Sequence, residues 1–237
     1  MAARIRKAIV LGEIVTGDSI PAEAQLITEF RVSRPTIREA VRILESEGLI
    51  NVTRGAKGGA RVCLPDSSTV ARAAGLALQT RGATLGDIYE TRMIIEPPAS
   101  RLAAERRSKE ASAVLRAHVQ QELDLRNDPV AVTQAIADFH RLLMEQCGNT
   151  SLGIIALALS GVFERHLLLA QRARPPVTEE ARQKQLLFGF RSHGKLVDLI
   201  EAGDGFGAEA HWSAHMQAAG KIWFLHLAPS TPVDVLD

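Results

Sequence analysis

The sequence predicts a mainly α protein: three short helices and a small β-hairpin in the first 64 residues, then an all-α antiparallel helical bundle. Three observations carry that reading. The head alternates short apolar-periodic segments with turn residues at close intervals. Two β-prone runs, "INVTR" and "ARVCL", flank the Gly-rich stretch "GAKGG" at residues 55–59. From residue 70 onward, long segments repeat their apolar residues at helical spacing with few β-branched alternations.

Taken in order, "ARIRKAIVLGEI" sets Ile5, Ile9 and Val10 on one stripe and stops at "TGDS". "PAEAQLITEF" opens with Pro21 at a helix start, where its missing N–H costs nothing, and presents Ala22, Leu26 and Ile27 as an apolar face. In "VSRPTIREAVRILESEGLI", Ser33 is the predicted N-cap, Pro35 lies in the first turn, and Ile37, Ala40, Val41 and Leu44 recur at i, i+3, i+4, i+7. Gly48 suits the C-terminal end. The opposite face carries Arg34, Arg38 and Arg42 at four-residue intervals. Three short helices and a hairpin with a basic, glycine-rich tip make the winged helix-turn-helix layout. In it the third helix enters the major groove and the wing follows the backbone or minor groove. Beyond residue 70, helices are expected at about 70–80, 84–107, 109–127, 129–147, 150–173, 178–202 and 205–226. Pro97-Pro98 and Pro175-Pro176 predict a helix break and a loop.

Composition limits the function classes. Net charge is +1, but residues 1–65 hold ten Lys/Arg against seven Asp/Glu, a net of +3, and the remainder is net −2. A basic head on an acidic body points weakly to nucleic acid. Aromatic content of 4% disfavours a stacking-based single-strand binder. Cys63 and Cys147 form no spaced motif. The longest apolar run, residues 152–163, falls short of the roughly 20 residues that span a bilayer, and the start lacks a signal-peptide core. A cytoplasmic protein without membrane contact is expected. The boundaries expected are 1–64 for the winged helix-turn-helix domain and 65–74 for a linker. An all-helical domain follows at 75–228, with a C-terminal tail at 229–237.

The head also carries a resemblance. G-D-x-I-P-x-E, V-S-R-P-T-I-R-E-A, L-x-x-E-G-L-I and the R-G-x-x-G-G wing, over residues 4–63, closely resemble the DNA-binding domain of GntR-family bacterial transcription regulators. The resemblance implies DNA contacts from Ser33, Arg34, Thr36 and Arg38 in the third helix and from Arg54, Lys57, Gly58 and Gly59 in the wing. It departs from the family at Ala24, where a basic residue is usual. In the second half, "DIYETRMIIEPPASRLAAERR", "DFHRLLMEQCGN" and "SHGKLVDLIEAGDGFGAEAHWSAHM" resemble, more loosely, the FCD effector-binding domain of the FadR branch. That resemblance implies a divalent metal held by His140, His193 and His215, with Arg92 pairing a small carboxylate effector. The family's aspartate, four residues before His140, is here Ile136. Asp138 lies about 200° round the helix from His140 and points away. Zinc or nickel suits imidazole ligands.

His211 and His215, in "HWSAH", share one helical face. His211 stands outside the family pattern: it is either a substitute fourth ligand or a partly exposed polar residue. Arg92 and Glu96, four apart, fit a structural ion pair as well as an effector site, and the two roles are compatible. The expected function is a ligand-responsive regulator, expected to act as a repressor, that binds an inverted-repeat operator on double-stranded DNA as a homodimer. The alternative is a metal-dependent hydrolase with an appended DNA-binding head. It needs a general base beside metal-bound water, and Trp212 occupies the position held by glutamate in H-E-x-x-H. A third reading, a non-specific architectural DNA binder, fits poorly with a head of net +3.

Overall fold

A computed structural model describes residues 1–53, 59–65, 67–173, 178–225 and 227–234. The chain divides into two compact units, Met1–Thr69 and Val70–Asp237.

In the first unit, α1 (Ala2–Val10), α2 (Glu23–Phe30) and α3 (Arg34–Ser46) precede a hairpin of β1 (Ile50–Thr53) and β2 (Gly59–Val62). Pro21 does not open α2. The helix starts at Glu23 with Ala22 as its N-cap, so the proline lies just outside. The turn into α3 passes through Arg31, in the left-handed region at φ 52°, and Ser33 then caps α3 by accepting from the Thr36 N–H. Ile37, Ala40 and Leu44 are buried, and Val41 packs partly buried beside them. Gly48, at φ 69°, lets the chain reverse into β1, where an added Cβ would also press on the Pro65 backbone at 3.2 Å. The antiparallel register pairs Ile50 with Val62 and Val52 with Ala60. Ile50 and Val62 close a core with Ile5, Ile9, Ile20, Leu26, Ile37, Leu44 and Leu49.

The second unit is helical throughout its described elements: α4 (Ser67–Thr80), α5 (Leu85–Asp124), α6 (Pro129–Gln146), α7 (Thr150–Ala173), α8 (Glu179–Glu201) and α9 (Gly205–Trp223). The stretch 65–74, expected as a linker, is helical from Ser67. α5, whose backbone departs from helix at Arg107, is packed by α6, α8 and α9, while α6 packs on α7 and α8 on α9. The core between them holds Phe139, Leu143, Leu196, Ile200, Trp212 and Met216.

The expected break at Pro97-Pro98 does not occur: both prolines lie inside α5, and the non-helical backbone is at Arg107 (φ −142°, ψ 35°). An interior proline costs about 3 kcal/mol in an isolated helix, a cost that packing on three neighbouring helices offsets here. The carbonyls freed by the missing N–H groups are those of Met93 and Ile94. These residues line an open surface groove with both prolines, within reach of water. Pro175 and Pro176 lie outside the described residues.

Residues 227–234 return to the start of α5. Leu85 N–H donates to the Thr231 carbonyl (2.9 Å), Gly86 N–H to that of Pro229 (2.8 Å) and Val233 N–H to that of Ala83 (2.9 Å). Val233 is buried with Leu85, Ile88 and Val162. The Cys63 thiol donates to the Gly48 carbonyl (3.2 Å), and Cys147 is buried. Among the described residues, no helix is long and apolar enough to cross a membrane.

Candidate DNA-binding face and histidine centre

The first α-helical turn of α3 is set by its cap. Ser33 Oγ lies 2.9 Å from Thr36 Oγ1 as well as accepting from the Thr36 N–H, so both hydroxyls are engaged locally. Because the apolar stripe faces the core, Arg34, Arg38 and Arg42 project from the opposite face, all exposed. Arg38 is 73% exposed and only 3.8 Å from Glu23, an exposed pair that holds the guanidinium weakly. Arg54, Lys57 and Gly58, at the wing tip, lie outside the described residues. Gly59 begins β2 with open space where a side chain would stand. Arg61, which the sequence reading passed over, is exposed on β2 and donates through Nη1 to the Gly17 carbonyl (3.0 Å).

In the second unit, α6 brings His140, α8 brings His193 and α9 brings His215 to one point in the bundle. One ring nitrogen from each lies within 4.8 Å of the others. Their rings are held from behind. His193 stacks on Phe139 (4.1 Å between centroids, 8° between planes) and His215 on Trp212 (4.4 Å, 16°). His140 Nδ1 is 2.6 Å from Glu96 Oε2, and His193 Nδ1 is 2.9 Å from both oxygens of Glu122. Burial pushes the His140 imidazole down to about 4, with Arg92 adding to the shift and Glu96 opposing it. Burial, then His193 and His140, pushes His215 down to about 2. Both are therefore neutral near pH 7, the form that donates a lone pair to a metal. Burial would raise Glu96, but Arg92 and His140 outweigh it and keep the carboxylate ionised. Three convergent imidazoles, those of His140 and His193 backed by carboxylates, fit a divalent cation that accepts nitrogen donors.

Ile136 supplies no donor, and Asp138 is tied to Arg141 at 2.8 and 3.0 Å, away from the cluster. His211 is not brought in: its Nε2 lies 2.9 Å from the Ser192 carbonyl and 3.2 Å from the Ser192 hydroxyl. Trp212, in the peptidase glutamate position, is fully buried and donates to Glu96 Oε2 at 3.0 Å.

Arg92 lies beside this cluster. Its Nε donates to Glu96 Oε1 (2.6 Å) and its guanidinium lies over the Phe163 ring (3.4 Å to the centroid). Among the described residues, Nη1 and Nη2 are buried with no hydrogen-bond partner, at a cavity of about 30 Å³ lined by Arg92, Glu96, His140, Met144, Ala156 and Phe163 among others. A buried guanidinium with two idle donors is costly unless something polar meets them.

Two members of this site escaped the sequence reading. Glu96 appeared there only as a partner of Arg92, whereas it also bonds His140 and Trp212. Glu122 was missed altogether. The available signal was periodic: His118 and Glu122 continue the buried stripe of Ala111 and Leu115, and polar residues on an apolar stripe mark a partner across the core.

Comparison with known proteins fits this architecture. The FCD domain model matches residues 87–218, and the model for bacterial regulatory proteins of the gntR family matches residues 1–62. The HTH-type transcriptional repressor NanR of Escherichia coli (strain K12) is 28% identical over 214 residues, which cover 89% of this chain and 78% of the relative. The NanR of Shigella flexneri matches to the same extent. Among solved structures, Streptococcus agalactiae GntR superposes with a TM-score of 0.68 at 21% identity, over 93% of this chain and 97% of that one. E. coli McbR/YncC gives 0.50 at 16% identity, over 94% of each chain. These likenesses carry the fold. The family matches carry the class: the chain belongs to the gntR family of bacterial regulatory proteins, with an FCD domain, and is a DNA-binding transcription regulator rather than an enzyme.

Proposed function

We propose that the protein is a ligand-responsive repressor. On this reading it binds an inverted-repeat operator as a homodimer, and its helical unit senses a small organic acid above a divalent metal. The observation that carries this is the convergence of His140, His193 and His215 beside a buried Arg92 whose two terminal nitrogens are idle. The planar Nη edge suits a carboxylate, which accepts two parallel N–H bonds. Phe163 fixes the guanidinium plane. His140, His193 and His215 would hold the metal, which would supply a Lewis-acid contact for an oxygen of the acid. Zinc or nickel fits the nitrogen donor set.

At the other end of the chain, Arg34 and Arg38 read base edges or grip phosphates, with Ser33 and Thr36 nearby, and the wing residues Arg54, Lys57, Gly58 and Gly59 follow the backbone. The repressor name of the NanR relatives supports the sign of regulation. A cytoplasmic location follows from that role. Effector and operator affinities are then reciprocally coupled.

The test is elemental analysis of wild type and of His140→Ala, His193→Ala, His215→Ala and His211→Ala, followed by operator binding against a panel of small organic acids. Metal is expected in wild type and His211→Ala and lost in the other three. An acid that shifts operator affinity in wild type should do so neither in Arg92→Met nor after chelation. Wild type that takes up no metal, or an acid response indifferent to Arg92, overturns the reading.

A further inference from the structure

Glu122 poses a question that packing alone does not answer. Its carboxylate is fully buried, both oxygens face His193 Nδ1 at 2.9 Å, and among the described residues it has no lysine or arginine partner. A buried carboxylate set only against an imidazole is costly. Glu96 repeats the arrangement on the neighbouring ligand: its Oε2 meets His140 Nδ1 at 2.6 Å, and its other oxygen is held by Arg92. Thus two carboxylates, from the stretches of α5 on either side of its non-helical residue Arg107, each meet the Nδ1 of a different histidine of one cluster. His215 is backed by the Trp212 ring instead.

A carboxylate that accepts from Nδ1–H fixes the tautomer, leaves the Nε2 lone pair for the metal and makes the imidazole a stronger donor. It also brings negative charge near a dication whose own ligands are neutral. We propose that Glu96 and Glu122 are positioning residues of the metal centre, holding His140 and His193 as Nδ1–H tautomers and supplying the charge that three imidazoles lack. The inference rests on the three-histidine reading above, and the experiment separates the two.

Metal-free full-length protein is titrated with Co²⁺ and Zn²⁺, following heat and the visible absorption of cobalt, for wild type, Glu96→Gln, Glu122→Gln and His211→Ala. Glutamine keeps an oxygen that can accept from Nδ1–H and removes the charge. Each Gln variant is expected to weaken metal binding about 10–100-fold and to shift the cobalt band, with His211→Ala unchanged. A merely structural role would lower the melting point of the metal-free form and leave the affinity of the folded protein and the cobalt band alone. Gln variants within twofold of wild type overturn the positioning role and leave the three-histidine reading standing. A wild type that binds neither ion overturns both. Nitrogen NMR of the metal-free wild-type imidazoles needs no variant to fold: Nδ1–H on His140 and His193 is expected, and Nε2–H on either overturns the assignment for that residue.

Discussion

His140 shows at the scale of one residue how the bundle is tuned. Buried and pushed down to about 4, it stays neutral where an unfolded chain, with an ordinary value of 6.5, takes up a proton. His215, lowered to about 2, behaves likewise. As pH falls below 6.5, the unfolded state therefore binds protons that the folded state refuses, and stability is lost. Each imidazole contributes a slope of about 1.4 kcal/mol per pH unit, ending for His140 near its folded value. Glu96 adds to the loss only below its ordinary value of 4.5, where the unfolded carboxylate protonates and the folded one remains ionised. The expected outcome for metal-free protein is a urea midpoint that falls steadily from pH 6.5 to 4, with a shallower fall in His140→Asn. A midpoint flat over that range would mean that these imidazoles are not held neutral inside the fold.

At the scale of the element, α3 has its stripe and arginine face written in thirteen residues, with Ser33 just before them as the cap, because a short surface helix buries a single face. Exposed arginines that make only weak contacts in the free protein are available to DNA. Arg34→Ala and Arg38→Ala are expected to cost about 1–3 kcal/mol in operator affinity and to blur base preference. Binding isotherms on operator and scrambled DNA check this, and unchanged affinity in both would move the recognition surface elsewhere. α5 was legible as two stretches, since the helices expected at 84–107 and 109–127 divide where its backbone departs from helix at Arg107, but packing overrode the break that Pro97-Pro98 predicts. The histidine positions could be read from local strings around His140, His193 and His215. Glu122 could not, because its meaning lies 71 residues away at His193. Pro21 failed on a smaller scale: a proline at the mouth of a helix fits just outside as well as just inside.

At the scale of the molecule, the helical unit closes on itself through residues 227–234. Leu85 and Gly86 are the first two residues of α5, so their N–H groups have no partner within the helix. The carbonyls of Thr231 and Pro229 satisfy them. The C-terminal segment thus caps the start of the helix that carries Arg92 and Glu96, and Val233, 1% exposed, is the apolar anchor that holds it there. The Asp234 N–H reaches His166 Nε2 on α7 at 3.4 Å, and Gln79 of α4 donates to Asp234 Oδ1 at 3.2 Å, so one short segment joins three helices. Removing two methyl groups at Val233 costs about 1.6 kcal/mol in transfer alone, and the cavity left behind adds to that. Val233→Ala is therefore expected to destabilise the protein by about 2 kcal/mol. Deletion of residues 229–237 should also speed hydrogen exchange at the Leu85 and Gly86 amides, because both lose their acceptors together. A melting point unmoved by Val233→Ala, with those amides still protected after the deletion, would show that α5 holds its start without the segment. A loss of both would make these residues part of the helical unit's cooperative core, since the helix they cap is the one that α6, α8 and α9 around the histidine centre pack against.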